Sequence, residues 1–151
     1  MKDLDWSNLS FGYRQTDYNV RCYYRDGKWG EIEVCSDEYL KLHMAATCLH
    51  YGQEAFEGLK AYRCPDGKVR VFRMDENAAR LQSTCRGIMM PEVPTEMFEE
   101  MVKKVVRLNQ EWIPTYESGA TLYIRPLLIG TSAQVGVHPS KEYCFLIFVT
   151  P

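Results

Sequence analysis

Runs of strand-forming residues open and close this chain, and helical periodicity occupies its middle. Val20–Arg25 (VRCYYR) is rich in strand formers, Asp26-Gly27 is a strong turn signal, and Trp29–Val34 returns with Trp29, Ile32 and Val34 as apolar positions. This predicts a first hairpin. Residues 36–49 carry Leu40, Leu42, Met44 and Leu49, and their spacing selects neither strand nor helix. In His50–Arg63 (HYGQEAFEGLKAYR), Tyr51, Ala55, Gly58, Leu59 and Tyr62 fit helical spacing, yet a helix would hold two interior glycines at about 1 kcal/mol each. The preferred reading is a turn at His50–Glu54, a strand Ala55–Arg63, a turn at Pro65-Asp66-Gly67, and a return strand Lys68–Arg73.

Two helices follow. Asp75 is the expected N-cap of a helix over Glu76–Ile88, with Ala78, Leu81 and Cys85 on its apolar face and Gly87 and Pro91 as stop signals. Thr95 is the expected cap of the next, whose stripe Met97, Met101, Val105 and Leu108 is widened by Phe98, Val102 and Val106. Trp112-Ile113-Pro114 closes it and Ser118-Gly119 turns the chain. Thr121–Ile129 (TLYIRPLLI) reads as a buried strand broken by Pro126, Gly130–Pro139 as a loop, and Glu142–Val149 as the most apolar strand. Residues 1–9 read as a mobile lead-in. Strands, helices, then strands give an α+β fold: a small two-layer domain with a mostly antiparallel sheet and helices packed on one side.

A chain of 151 residues supports one well-cored domain. A net charge of −2 with no dominant basic patch argues against nucleic acid as a partner. No apolar run of about 18 residues exists to span a membrane, and the first residues lack a signal peptide's apolar stretch, so a cytoplasmic location is expected. The six cysteines are widely spaced without a CxxC pair and read as free, mostly buried thiols. His43, His50 and His138 make no metal-ligand spacing with them, so no metal is expected.

Tyr123 and Arg125 lie two apart on a strand and share a face. Arg125 sits among leucines and isoleucines, so its guanidinium needs an anion. Spacing leaves two choices open: a glutamate on a neighbouring strand, or a bound carboxylate. Arg80 lies in the second turn of its helix, where a phosphate could reach it, but spacing favours a surface ion pair with Asp75, Glu76 or Glu99.

Together, HYGQEAFEGLKAYR at 50–63, the FR…NAxRL pattern over Phe72–Leu81, LYIRPLLIGT at 122–131 and GVHPSKEYCFLIFVTP at 136–151 resemble the branched-chain amino acid aminotransferases, pyridoxal-phosphate enzymes of fold type IV. The resemblance runs from about Leu9 to the end. It implies that Arg80 binds the cofactor phosphate, against the choice favoured by spacing. It implies that Phe56, Tyr123 and Phe11 wall a substrate pocket, and that Arg125 receives the side-chain carboxylate of glutamate. Tyr51, Val135 and Val137 match groups that reach into the partner subunit's active site in a homodimer; Val135 departs from the bulkier residue expected there.

In this family a lysine forms the Schiff base with the cofactor, and it belongs to a second, larger domain. None of Lys2, Lys28, Lys41, Lys60, Lys68, Lys103, Lys104 and Lys141 sits in that context. The resemblance therefore implies an N-terminal domain, with the C-terminal lysine domain outside residues 1–151, that is inactive alone. The complete enzyme would exchange an amino group between leucine, isoleucine or valine and 2-oxoglutarate. Two other readings are a stand-alone, non-catalytic interaction module, and a domain of a D-amino acid aminotransferase or aminodeoxychorismate lyase.

Overall fold

A computed structural model describes residues 2–6 and 8–151; Met1 and Ser7 of the expected lead-in lie outside the described residues. Lys2 is anchored rather than free. Its backbone N–H donates to Glu111 O at 2.7 Å, and its ammonium pairs with Asp17 and stands 4.9 Å from the Trp112 ring.

The described strands are β1 (Asn19–Arg25), β2 (Lys28–Trp29), β3 (Glu33–Cys35), β4 (Glu54–Phe56), β5 (Leu59–Arg63), β6 (Val69–Val71), β7 (Leu122–Gly130) and β8 (Tyr143–Thr150). They form one antiparallel sheet in the order β2-β1-β8-β7-β5-β6, with β3 also beside β1 and β4 also beside β7. The first hairpin closes through Asp26 and Gly27 at φ 51° and 75°, the two left-handed positions of a type I′ turn. The second joins β5 to β6 with Arg63 opposite Val69.

The helices are α1 (Thr47–Tyr51), α2 (Met74–Gly87) and α3 (Thr95–Leu108). Ala78, Leu81 and Cys85 of α2 and Phe98, Met101, Val102, Val105 and Val106 of α3 are buried in one core with Val20, Ile124, Phe145, Ile147 and their neighbours. This core is the layer between helices and sheet. The other face of the sheet carries a smaller cluster of Ile129, Cys144 and Leu146, with Leu40 and Leu42 packed on it. Residues 36–46 thus show no periodicity because they lie across a sheet as irregular cover. β8 is apolar on both faces because both are covered.

Three expectations need correction. Pro126 does not break its strand: β7 pairs with β8 without interruption from Tyr123↔Thr150 through Pro126↔Ile147 to Gly130↔Tyr143. The interruption falls on the neighbour instead. β4 and β5 keep one register along β7, with Phe56 opposite Leu127 and Leu59 opposite Ile124. Between them Glu57 N–H donates to Pro126 O at 2.9 Å, but Pro126 has no N–H to return. Asp75 and Thr95 do not cap their helices. α2 starts two residues earlier, at Met74, with Arg73 at the cap position at φ 45°, and Asp75 accepts from the Arg73 side chain. Pro94 precedes α3, and the Thr95 hydroxyl accepts from Gln82 Nε2. The six cysteines are free; Cys22, Cys85 and Cys144 are buried, and Cys35, Cys48 and Cys64 half-buried.

Asn109, just past α3, is fully buried and satisfied on every side. Its Oδ1 accepts the N–H groups of Asp17 and Tyr18, and its Nδ2 donates to the carbonyls of Tyr18 and Val105. It fixes the approach of the N-terminal segment to the sheet.

Asn109→Ala is expected to cost at least about 2 kcal/mol by orphaning buried backbone groups, a fall in Tm of roughly 4–8 °C at this chain length; an unchanged melting curve would count against this role. Burial pushes the Cys85 and Cys144 thiols up to about 11 from 9.0. The unfolded chain therefore releases these protons first, so stability is full below pH 9 and falls as pH rises toward about 11. The urea midpoint should drop between pH 8.5 and 10.5, and a thiol reagent at pH 8 should spare both residues until the chain unfolds.

Candidate functional site

Residues 54–62 alternate strictly: Ala55, Glu57, Leu59 and Ala61 are buried, whereas Glu54, Phe56, Gly58, Lys60 and Tyr62 are exposed. β7 alternates in the same phase, with Leu122, Ile124 and Pro126 buried and Tyr123 and Arg125 half-buried. The pleat thus puts Phe56, Tyr123 and Arg125 on the sheet face away from the helices.

There they meet. Arg125 Nε donates to the Tyr123 hydroxyl at 3.0 Å. The guanidinium carbon stands 4.5 Å from the Phe56 ring centre and 5.2 Å from that of Tyr123. Phe11 meets Tyr123 edge to face at 5.1 Å. The strand-glutamate partner for Arg125 does not materialise: among the described residues no carboxylate forms an ion pair with it. Its positive charge rests on two ring faces and one phenol. Gly58 makes this possible, because a Cβ there would lie 2.6 Å from the Tyr123 hydroxyl.

Arg80, on α2, lies on the helix side of the sheet. Neither Asp75, Glu76 nor Glu99 is its partner. Its Nε and Nη2 donate to Glu57 at 2.9 and 2.6 Å. Glu57 is 3% exposed, while the Arg80 side chain is 68% exposed. Glu57 occupies an inward position of an apolar alternation, so its charge must be met there. Asn77, one turn before Arg80, adds a bond from Nδ2 to Glu57 at 2.9 Å. The Glu57 carboxylate raises the Arg80 pKa further, so the guanidinium stays charged. Asp75 and Glu76 are engaged by Arg73 instead.

Tyr51, Val135 and Val137 form a separate group. The Tyr51 hydroxyl donates to Val135 O, and Val135 and Val137 are exposed on the loop between β7 and β8. An open cavity of about 360 Å³ there is lined by Tyr51, Gln53, Ile88, Met89 and Val137 among others. Among the described residues no hydrogen bond or ring contact joins this group to Phe56, Tyr123 and Arg125. Gln53 holds the loop in place. Its Oε1 accepts from Ser140 N–H, its Nε2 donates to Ile88 O, and its carbonyl accepts from Gly130 N–H.

Sequence reading missed Glu57, Asn77 and Gln53. The signal for Glu57 was available: it is the carboxylate at an inward position of an alternating segment, and such a position calls for a cation nearby. Gln53 had no comparable signal, since its partners are backbone groups from distant segments. A wider depression of about 1030 Å³ lies between the Tyr24–Gly27 turn and residues 132–143, and it includes none of the expected site residues. Among the described residues no group of histidine, cysteine and carboxylate side chains could hold a metal, and no helix is long and apolar enough to cross a membrane.

No protein-family model matches the chain. A Haemophilus influenzae protein named branched-chain-amino-acid aminotransferase is 50% identical over 151 residues, which cover 100% of this chain and 44% of that protein. A Helicobacter pylori protein of the same name is 44% identical over 151 residues, again 100% of this chain and 44% of the relative. The chain therefore spans less than half the length of these curated relatives. Among solved structures, the Escherichia coli branched-chain amino acid aminotransferase superposes with a TM-score of 0.64 at 25% identity, covering 90% of this chain and 40% of that one. A second branched-chain amino acid aminotransferase, solved in complex with N-(5′-phosphopyridoxyl)-L-glutamate, gives a TM-score of 0.60 at 26% identity, covering 84% of this chain and 40% of that one.

Gly58→Ala should leave the fold intact, because the atom it strikes ends a movable side chain, at a cost of about 1–3 kcal/mol. It should turn Tyr123 away from Arg125 and Phe11, so the nuclear Overhauser contacts between the Phe11 and Tyr123 rings should vanish; their survival would show that the close approach is not needed.

Proposed function

We infer that this chain belongs to the branched-chain amino acid aminotransferases, as the small N-terminal domain of such an enzyme. The complete enzyme exchanges an amino group between leucine, isoleucine or valine and 2-oxoglutarate, with pyridoxal phosphate as cofactor. Whole-chain identity of 50% to a relative of that name supports the family. The observation that carries the site is Arg125, a half-buried cation steadied by Phe56 and Tyr123 and left without a carboxylate among the described residues.

The donor set fits an anionic cofactor and an acidic co-substrate. Arg80 presents its outer edge to solvent, where it receives the cofactor phosphate. Arg125 receives the distal carboxylate of glutamate. A relative solved with a phosphopyridoxyl-glutamate supports this pairing of ligand groups. Phe11, Phe56 and Tyr123 exclude water and contact the side chains of branched substrates. Both substrates can share one pocket because Arg125 keeps its place without an anion: its rings and the Tyr123 phenol hold it whether the substrate is acidic or apolar. Bound pyridoxal phosphate supplies the electron sink for the charge left when the substrate loses its α-proton.

Tyr51, Val135 and Val137 reach the neighbouring active site of a homodimer, and the Tyr51–Val135 bond holds that edge in shape. The lysine that binds the cofactor lies in the second domain. Three buried, free thiols suit a reducing, cytoplasmic setting.

Two measurements test this reading. Borohydride reduction of the pure chain with stoichiometric pyridoxal phosphate should leave no lysine specifically labelled; full labelling of one, Lys60 for example, would mean that these residues build a cofactor site alone. In the complete enzyme, Arg125→Ala should raise KM for glutamate by about 10–100-fold, the effect of losing a charge-assisted pair. KM for leucine should change by less than about threefold. Equal losses for both substrates would remove Arg125 from the role of carboxylate receptor.

A further inference from the structure

We propose that Glu57 is the positioning residue for the phosphate-binding arginine, fixing Arg80 by one edge of its guanidinium so that the opposite edge faces the phosphate. The proposal rests on the reading of Arg80 as a phosphate contact and adds a residue to it.

A guanidinium carries five N–H donors in a rigid plane. Glu57 takes Nε–H through Oε1 at 2.9 Å and one Nη2–H through Oε2 at 2.6 Å. Among the described residues no partner takes the Nη1 hydrogens or the second Nη2 hydrogen, which leave the guanidinium in its plane along edges other than the one Glu57 occupies. The burial of the two partners is lopsided: Glu57 is 3% exposed and the Arg80 side chain 68%. An ordinary surface pair has two mobile ends and contributes little. Here one end is buried: Glu57 lies between β4 and β5, its neighbouring inward residues are Ala55 and Leu59, and its N–H donates to Pro126 O of β7.

Asn77 completes the arrangement. Its Nδ2 donates to Oε2 of Glu57 at 2.9 Å, so the carboxylate cannot rotate without losing a bond. The carboxylate does not compete with a phosphate, because it occupies the Nε edge and leaves the terminal edge open. It also keeps the long arginine chain from sampling other rotamers, which would otherwise be a cost of binding.

The test uses the complete enzyme and two probes, pyridoxal phosphate and phosphate-free pyridoxal, with affinity measured by titration. Arg80→Ala should weaken pyridoxal phosphate only. Glu57→Gln should weaken pyridoxal phosphate about tenfold, the loss of one charge-assisted contact, and leave pyridoxal within about twofold. On the Arg80→Ala background, Glu57→Gln should add nothing, because it acts through Arg80. Asn77→Ala, a partly exposed helix position where alanine is well tolerated, should give a smaller phosphate-specific loss of about threefold, and it decides the matter if Glu57→Gln does not fold. If Arg80→Ala lacks a phosphate-specific effect, the reading of Arg80 itself fails. If Arg80→Ala shows it, while Asn77→Ala and any folded Glu57→Gln protein affect both probes equally, the positioning role alone is overturned.

Discussion

An antiparallel strand has two faces and no third, and this fold depends on keeping them apart along β7 and its neighbour. Leu122, Ile124 and Leu128 enter the core under the helices, whereas Tyr123 and Arg125 face the other way. The same alternation in residues 54–62 places Phe56 and Gly58 outside and Glu57 inside. One residue of slippage between the strands would exchange every one of these assignments. Register is therefore the constraint from which core and site both follow.

The two arginines solve the problem of holding a cation in different ways. Arg80 is attached to a buried carboxylate and keeps a free edge. Among the described residues Arg125 has no such anchor; it is cushioned by aromatic faces and a phenol. A carboxylate partner gives a fixed direction at the expense of part of the charge. Ring faces leave the charge nearly whole and the donors open. On the proposed roles, the first would suit a ligand group held throughout turnover, the second a group present in only one of two substrates.

Much of this was legible in the sequence. Both hairpins, the helix faces and the pairing of Tyr123 with Arg125 follow from alternation, turn residues and spacing. The errors have separate causes. Asp75 and Thr95 are good capping residues by type, but each found a side-chain partner that tied it up elsewhere. Pro126 was a fair reason to break a strand, yet its missing N–H faces the neighbour where a single rung is lost. The Arg80–Glu57 pair spans 23 positions, beyond what helix spacing can reveal, and resemblance brought Arg80 forward while leaving its partner unremarked. The apolar segment 36–46 was unreadable because irregular cover has no period.

Gln53 joins segments that have little else in common: the start of β4, the loop after β7 and the end of α2. A primary amide can do this because it donates and accepts from one plane, where a carboxylate only accepts. Hydrolysis of that amide to the acid would keep the bond from Ser140 N–H and set a negative charge against the carbonyl of Ile88. The bond from Gln53 to the end of α2 would be lost, while the loop bearing Val135 and Val137 would keep its ties to Tyr51 and to Ala45.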